Sequence, residues 1–169
     1  MPKLFMVYLG GKAPKANIEL HDIQFVVGES IDDTFDTLKQ NWFGTVQGLH
    51  LDSYCHIASA DGYQISLSEQ PATDGPHLYF VNIGGYQPES MAELHQFDLF
   101  VADTPVNAKQ KALKSLLNNS ELQHKDNLYD VDDCLSIRKI GQYYIHLNEL
   151  FERQTKKLKP DWYGYRVIG

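Results

Sequence analysis

The chain is poor in cysteine: Cys55 and Cys134 are the only two in 169 residues, and neither has a CxxC neighbour. A zinc knuckle is excluded, a disulfide framework is not expected, and such usage fits a reducing cytoplasm. Positive charge is scarce as well. The formal net charge is −7, whereas a binder of duplex nucleic acid needs a basic footprint to displace counterions. The densest basic run, Lys156-Lys157-Leu158-Lys159, is short and reads as the solvated end of a terminal helix. No apolar stretch approaches the roughly 20 residues of a membrane span. Leu4–Leu9 is too short for a signal-peptide core and passes straight into Gly10-Gly11, so it reads as a strand. The phosphate-cradle patterns GxGxxG and GxxxxGKS/T and the nucleophile elbow GxSxG are missing too. These absences remove nucleic acid and membrane from the expected partners. They leave a small molecule, another protein or a second copy of the chain.

What is present is a repeat. LFMVYLGG…P…ELH…V, from residue 4, recurs ungapped as LYFVNIGG…P…ELH…V from residue 78. Nine of 28 positions are identical at a constant offset of 74, among them Gly10/Gly84, Gly11/Gly85, Pro14/Pro88, Glu19/Glu93, Leu20/Leu94 and His21/His95. That density points to an internal duplication. Between residues 118 and 130 about six residues enter, and the offset becomes 80. Asp52/Asp132, Ile57/Ile137, Tyr63/Tyr143, Ile65/Ile145 and Leu67/Leu147 then coincide. Each unit is roughly 70 residues, a size with little stability margin alone, so the two are expected to share an interface.

Hydrophobic spacing gives each unit the order β-β-α-β-β. Leu4–Leu9 is a continuous apolar run and hence a buried strand. Glu19–Val27 alternates as a second strand; because Ile18 and Leu20 are out of phase with Ile23, a bulge or a strand start is expected near His21-Asp22. Ser30 and Asp33 resemble a capping pair, and Ile31, Phe35, Leu38 and Trp42 form one helical stripe ending at Gly44. Leu49–Ile57 and Tyr63–Leu67 are strands joined by a turn at Asp61-Gly62. Segment 68–77, with two prolines and a glycine, is a linker. In the second unit Thr104-Pro105 starts a helix whose expected apolar face is Val106, Leu113 and Leu117. A closing helix over roughly 148–157 and an aromatic tail with Trp162, Tyr163 and Tyr165 lie outside the repeat, the tail docked on the body. The organisation is thus a first repeat at 4–67, a linker at 68–77, a second repeat at 78–147 and a C-terminal segment at 148–169. The fold class is α+β, with the two repeats related by a pseudo-two-fold axis.

Chemistry concentrates in the shared polar residues. In an extended Glu-Leu-His triplet, period-2 geometry puts the carboxylate and the imidazole on one face. Glu19 with His21, and Glu93 with His95, could therefore work as base and orienting group, since a carboxylate raises imidazole basicity and fixes its tautomer. Asp22 follows the first triplet but Gln96 follows the second, which makes the first copy the better candidate. Two such pairs about an axis supply two imidazoles and two carboxylates, an acceptable divalent-metal shell. The sequence does not itself call for a metal, and any cofactor is left open. The plain alternative, which we favour on sequence, is that both histidines bond main chain where the strand register breaks. Gly10, Gly11, Gly84 and Gly85 read as tight turns or close contacts, with an anion cradle as the functional counterpart. Asp52 and Asp132 read as strand-entry residues, with ligand binding as theirs.

With these residues in view, the chain resembles the bacterial family catalogued as domain of unknown function 1543. The likeness rests on LFMVYLGG, the ELHD-I-Q-F-V-VGE segment, LHLDSY and the tandem copy, and it spans 4–67 and 78–147. It implies one or two copies of the unit per member and no activity. The expectation is a small cytoplasmic protein that holds a small polar ligand or a protein partner between its repeats. The alternative is a small-molecule hydrolase or isomerase built on the Glu/His pairs. Self-association through the aromatic tail is a third reading.

Overall fold

The structure is a computed structural model that describes residues 1–72, 74–85, 89–116, 129–151 and 158–169, with backbone only for 129–132. The run Leu4–Leu9 lies inside strand β1 (Lys3–Lys12). It pairs antiparallel on one side with β2 (Leu20–Gly28) and on the other with β3 (Thr45–His56). The C-terminal β11 (Trp162–Val167) adds to β3, giving the sheet order β11-β3-β1-β2. As an interior strand covered on both faces, β1 gains from apolar side chains at consecutive positions. Val7 and Leu9 are fully buried on one face, and Leu4 and Met6 are buried on the other.

The first helix follows its sequence signals. The Ser30 amide and hydroxyl both donate to Asp33 Oδ2, at 2.8 and 2.7 Å. A 3-10 turn at Asp32–Thr34 then leads into α1 (Phe35–Asn41). Ile31, Phe35, Leu38 and Trp42 pack against Phe5, Val7 and Leu9, as the stripe predicts. A two-residue strand, β4 (Ser59–Ala60), precedes the Asp61-Gly62 turn and β5 (Tyr63–Ser68). Both turn residues have positive φ, +48° and +83°, the backbone that a two-residue hairpin demands.

The second copy repeats the plan with β6 (His77–Gly85), β7 (Leu94–Ala102), α2 (Pro105–Ser115), β8 (Tyr129–Ile137), β9 (Lys139–Ile140) and β10 (Tyr143–Glu149). Its own sheet is β7-β6-β8. The Thr104 side chain caps α2, accepting from Asn107 N at 3.2 Å. The expected apolar stripe of α2 is wrong. Val106 and Leu113 are exposed, while Ala108 and Ala112 are fully buried, and Leu117 lies outside the described residues. Two alanines one helical turn apart let the helix approach Tyr79, Val81 and Ile83 closely. Their small side chains carry little weight in a hydrophobic pattern, so spacing alone points to the wrong face.

The copies are joined by a third sheet to which both contribute, β4-β5-β10-β9. In its antiparallel centre Ser66 faces His146, and 146 − 66 = 80, the repeat offset of this region. Ser66 and His146 are therefore equivalent residues facing one another, which puts the pseudo-two-fold axis between them. Ile65 faces Leu147 and Leu67 faces Ile145 in the same register. Beneath this sheet one core cluster mixes Leu4, Met6 and Phe25 with Leu78, Phe80 and Leu99. Asp61 adds a polar tie, since its Oδ2 accepts from Val101 N at 2.9 Å and Lys111 Nζ at 2.7 Å.

Two further expectations become specific and one changes. The β1–β2 ladder is unbroken from Lys3↔Gly28 to Gly11↔Leu20, so the change of phase near His21-Asp22 is a strand start and not a bulge. The strand simply starts at Leu20, with Ile18 exposed before it, and the register shifts fall on the β1–β3 side. Asn148 and Glu149, expected in a closing helix, continue β10, and 152–157 lie outside the described residues. The aromatic tail docks on the body as expected, in the form of an added strand on β3. Among the described residues no helix is long and apolar enough to cross a membrane.

Candidate functional site

Gly10 organises the site. On the central strand it stands opposite His21 on β2 and opposite His50 on β3, so a row of three residues places an imidazole on either side of a position without a side chain. A Cβ at Gly10 would come within 2.5 Å of His50 Nε2 and 3.0 Å of Asp52 Oδ2. A Cβ at Gly11 would lie 2.9 Å from the Trp42 ring. Neither glycine is in a turn or at positive φ; both are strand residues kept bare by close neighbours.

Four ionisable side chains meet in this gap. His21 Nε2 lies 3.3 Å from Glu19 Oε1 and 3.2 Å from Asp52 Oδ2. His50 Nε2 lies 3.3 Å from the same Glu19 oxygen and 3.4 Å from Asp52 Oδ1. Glu19 and His21 share one face across Leu20, as the triplet predicts, and His50 and Asp52 do so across Leu51. His21, Glu19 and Asp52 are partly open to solvent, whereas His50 is 1 % exposed and forms the floor.

The floor histidine is electrostatically unfinished. Its Nδ1 is 2.9 Å from the Gly48 carbonyl, which can only accept, so Nδ1 carries a proton. In the neutral ring Nε2 then holds a lone pair. That nitrogen is buried and has no hydrogen-bond partner among the described residues. The carboxylates at 3.3 and 3.4 Å are near enough for charge interaction but do not complete a hydrogen bond. With the ring neutral, that lone pair faces carboxylate oxygens, an arrangement that calls for positive charge in the gap.

Aromatic rings wall the cluster. Tyr165 of β11 lies against His50, ring centroids 4.1 Å apart, and Tyr8 stacks on His21 at 5.4 Å. Tyr8 also stacks on Phe97 of the second copy at 6.1 Å, so the cluster borders the seam between repeats. Burial and the Asp52 charge push the Tyr8 hydroxyl above its ordinary range. Beside Tyr8 a cavity of about 210 Å³ is lined by Met6, Ser53, Cys55, Phe97 and Leu158 among others. The Cys55 thiol there is pushed up to about 11, chiefly by burial, which leaves it protonated and unsuited to nucleophilic work.

Of the residues singled out in the sequence, the structure gathers Gly10, Glu19, His21 and Asp52. Asp22 stands apart from the cluster: burial, with the charge of Asp133 in the second copy, raises its carboxyl above the usual range against the opposing pull of a bond from the Ile23 amide. Glu93 and His95 belong to the corresponding row of the second copy, where Gly84 faces His95 and Gly85 faces Leu94. Their separation there is 3.7 Å, and Asn82 Nδ2 stands 3.3 Å from His95 Nδ1. The Asp132 side chain lies outside those described. Sequence reasoning missed His50. The signal is the His-x-Asp spacing on an extended strand; at the first repeat offset His50 falls on His124 and not on Asp130, which hides it, and His124 lies outside the described residues. In the ladder the residue opposite Gly84 is Asp130, so the second copy has no imidazole at the floor position. Among the described residues no group of three or more His, Cys, Asp or Glu side chains is preformed as a metal centre.

The profile of the family described as Domain of Unknown Function (DUF1543) matches residues 16–67 and again 90–147. A solved crystal structure, that of protein Il1583 from Idiomarina loihiensis, is similar over 100 % of this chain and 99 % of that one, with 38 % identity and a TM-score of 0.78. No curated protein matches the sequence.

Proposed function

The chain belongs to the DUF1543 family, whose description names no activity, and from the geometry of its site we propose that it binds a small, positively charged polar ligand at the Glu19–His21–His50–Asp52 cluster beside the seam between its repeats. The observation that carries this is the buried Nε2 of His50, unpartnered among the described residues and facing two carboxylates. A ligand bearing positive charge would satisfy it, with Tyr8 and Tyr165 as flat walls against which an organic cation packs. The repeats are taken as 4–67 and 78–147, joined by 68–77 into one body. Work in the bacterial cytoplasm fits both cysteines being free thiols, and the acidic balance of the chain speaks against nucleic acid.

The test is a titration of the full chain with a panel of amines, guanidinium compounds and divalent metal salts, followed by NMR of the histidine ring protons. The expected result is movement of the His21 and His50 signals, abolished in a Glu19→Gln/Asp52→Asn double variant that melts as the parent does. A panel in which nothing moves those signals, or movement that persists in the double variant, overturns the reading.

A further inference from the structure

Resting on that site, we infer that its occupant is a divalent transition-metal ion, ligated by Nε2 of His21, Nε2 of His50 and the carboxylates of Glu19 and Asp52. The first argument is spacing. Zinc-like ions bind imidazole nitrogen and carboxylate oxygen at about 2.0–2.2 Å, and a tetrahedron of such bonds has edges of roughly 3.3–3.6 Å. The four imidazole-to-carboxylate separations are 3.2, 3.3, 3.3 and 3.4 Å. The side chains thus stand almost one coordination edge apart. As they stand, no three such side chains among the described residues are placed to hold a metal, and closing this set requires small rotations of Glu19 and Asp52, both partly exposed.

The second argument is the floor histidine. A metal-ligating imidazole commonly donates its other N–H to a carbonyl or carboxylate, which fixes the tautomer with the bare nitrogen toward the metal. His50 does this through Nδ1 and the Gly48 carbonyl. Its Nε2 is fully buried and otherwise unpartnered among the described residues. Two nitrogen and two oxygen donors suit zinc, cobalt or nickel better than calcium or magnesium, which take oxygen shells. The third argument is room. The position between the imidazoles is Gly10, and even a methyl group there would press on His50 Nε2 and Asp52 Oδ2. The second copy sets Asp130 opposite Gly84, so the ion belongs to the first copy alone.

The experiment strips the full chain with chelator, then titrates it with zinc chloride by calorimetry and with cobalt chloride by visible absorption. One zinc per chain is expected, with a cobalt spectrum of tetrahedral intensity. His50→Gln should weaken zinc binding by more than about 100-fold, beyond the 10–100-fold that loss of an outer-shell partner costs. Gly10→Ala, which keeps every donor but fills the gap, should also weaken it. His95→Gln in the second copy should leave both stoichiometry and affinity unchanged. Thermal melts of each chelator-stripped variant identify any that fail to fold. Absence of stoichiometric zinc and cobalt overturns the inference, as does full binding by His50→Gln or dependence on His95. If organic cations still move the His21 and His50 ring signals while metals do not, the metal is rejected and the ligand site survives. If neither does, both fall.

Discussion

The two copies share a frame and most of the site's polar residues, Glu19/Glu93, His21/His95 and Asp52/Asp132, and differ at the floor and the wall of the gap. Gly10 and Gly84 occupy the same point of equivalent central strands, each facing the histidine of an ELH triplet. Across the other ladder Gly10 faces His50 and Gly84 faces Asp130. Tyr8, the wall of the first site, is Asn82 in the second. The first sheet carries a fourth strand, β11, whose Tyr165 covers His50; among the described residues the second copy's own sheet has three strands. Duplication preserved what pairs strands and fills cores, because both copies need it to fold. It did not hold the floor of the gap, which no packing requirement fixes. A paired site spanning both repeats was expected, and the contacts of His21 are instead with Glu19 and Asp52 of its own copy.

Removing the strand that only the first copy has should produce the largest change. Truncation after Lys159 deletes β11, with the Trp162 packing, the Arg166–Asp32 ion pair at 2.8 Å and the bond from His56 N to Asp161 Oδ2 at 2.6 Å. We expect a loss of about 3 kcal/mol or more in chemical denaturation, mostly from apolar surface returned to water. A loss under about 1 kcal/mol would mean that the first sheet, like the second, stands on three strands.

A smaller change should follow from making the first hairpin turn resemble the second. Asp61 occupies the place of Gly141 and ties its turn to the other copy through Val101 N and Lys111. Asp61→Gly relieves a positive φ but gives up both bonds, for an expected net loss of about 1–2 kcal/mol. Equal or greater stability would show that the tie contributes nothing to the clasp.

Asp22 should show the smallest effect, visible only as a pH dependence. Its second-copy equivalent is Gln96. Burial and the Asp133 charge raise its folded carboxyl above the unfolded value of about 3.9. The contribution it makes is therefore fully present below about pH 3.9 and is lost as pH rises through the folded value. Asp22→Asn, neutral throughout, should melt close to the parent near pH 4 and progressively above it toward pH 7. A melting-temperature difference that stays flat over that range would contradict this.

Much of the frame was legible because it rests on local rules. The continuous run Leu4–Leu9 reports a strand buried on both faces, Ser30 with Asp33 reports a helix start, and Asp61-Gly62 reports a hairpin. The Ala108/Ala112 face of α2 was not legible, since a helix that packs close needs small residues, which hydrophobic spacing underrates. The Glu19–His21 face was readable from period-2 geometry. His50 was harder, because its partner in the gap is 31 residues away and is set by the β1–β3 register, bulges included.

By itself the sequence determined the duplication, the order of elements in each copy and the sides on which Glu19, His21, His50 and Asp52 project, because these follow from periodicity and backbone chemistry within a few residues. Only the tertiary structure decided that β5 and β10 clasp with Ser66 against His146, that the tail becomes β11, and that two imidazoles flank Gly10. Those facts depend on which strands become neighbours and in what register, and that choice is made by the burial of the whole core.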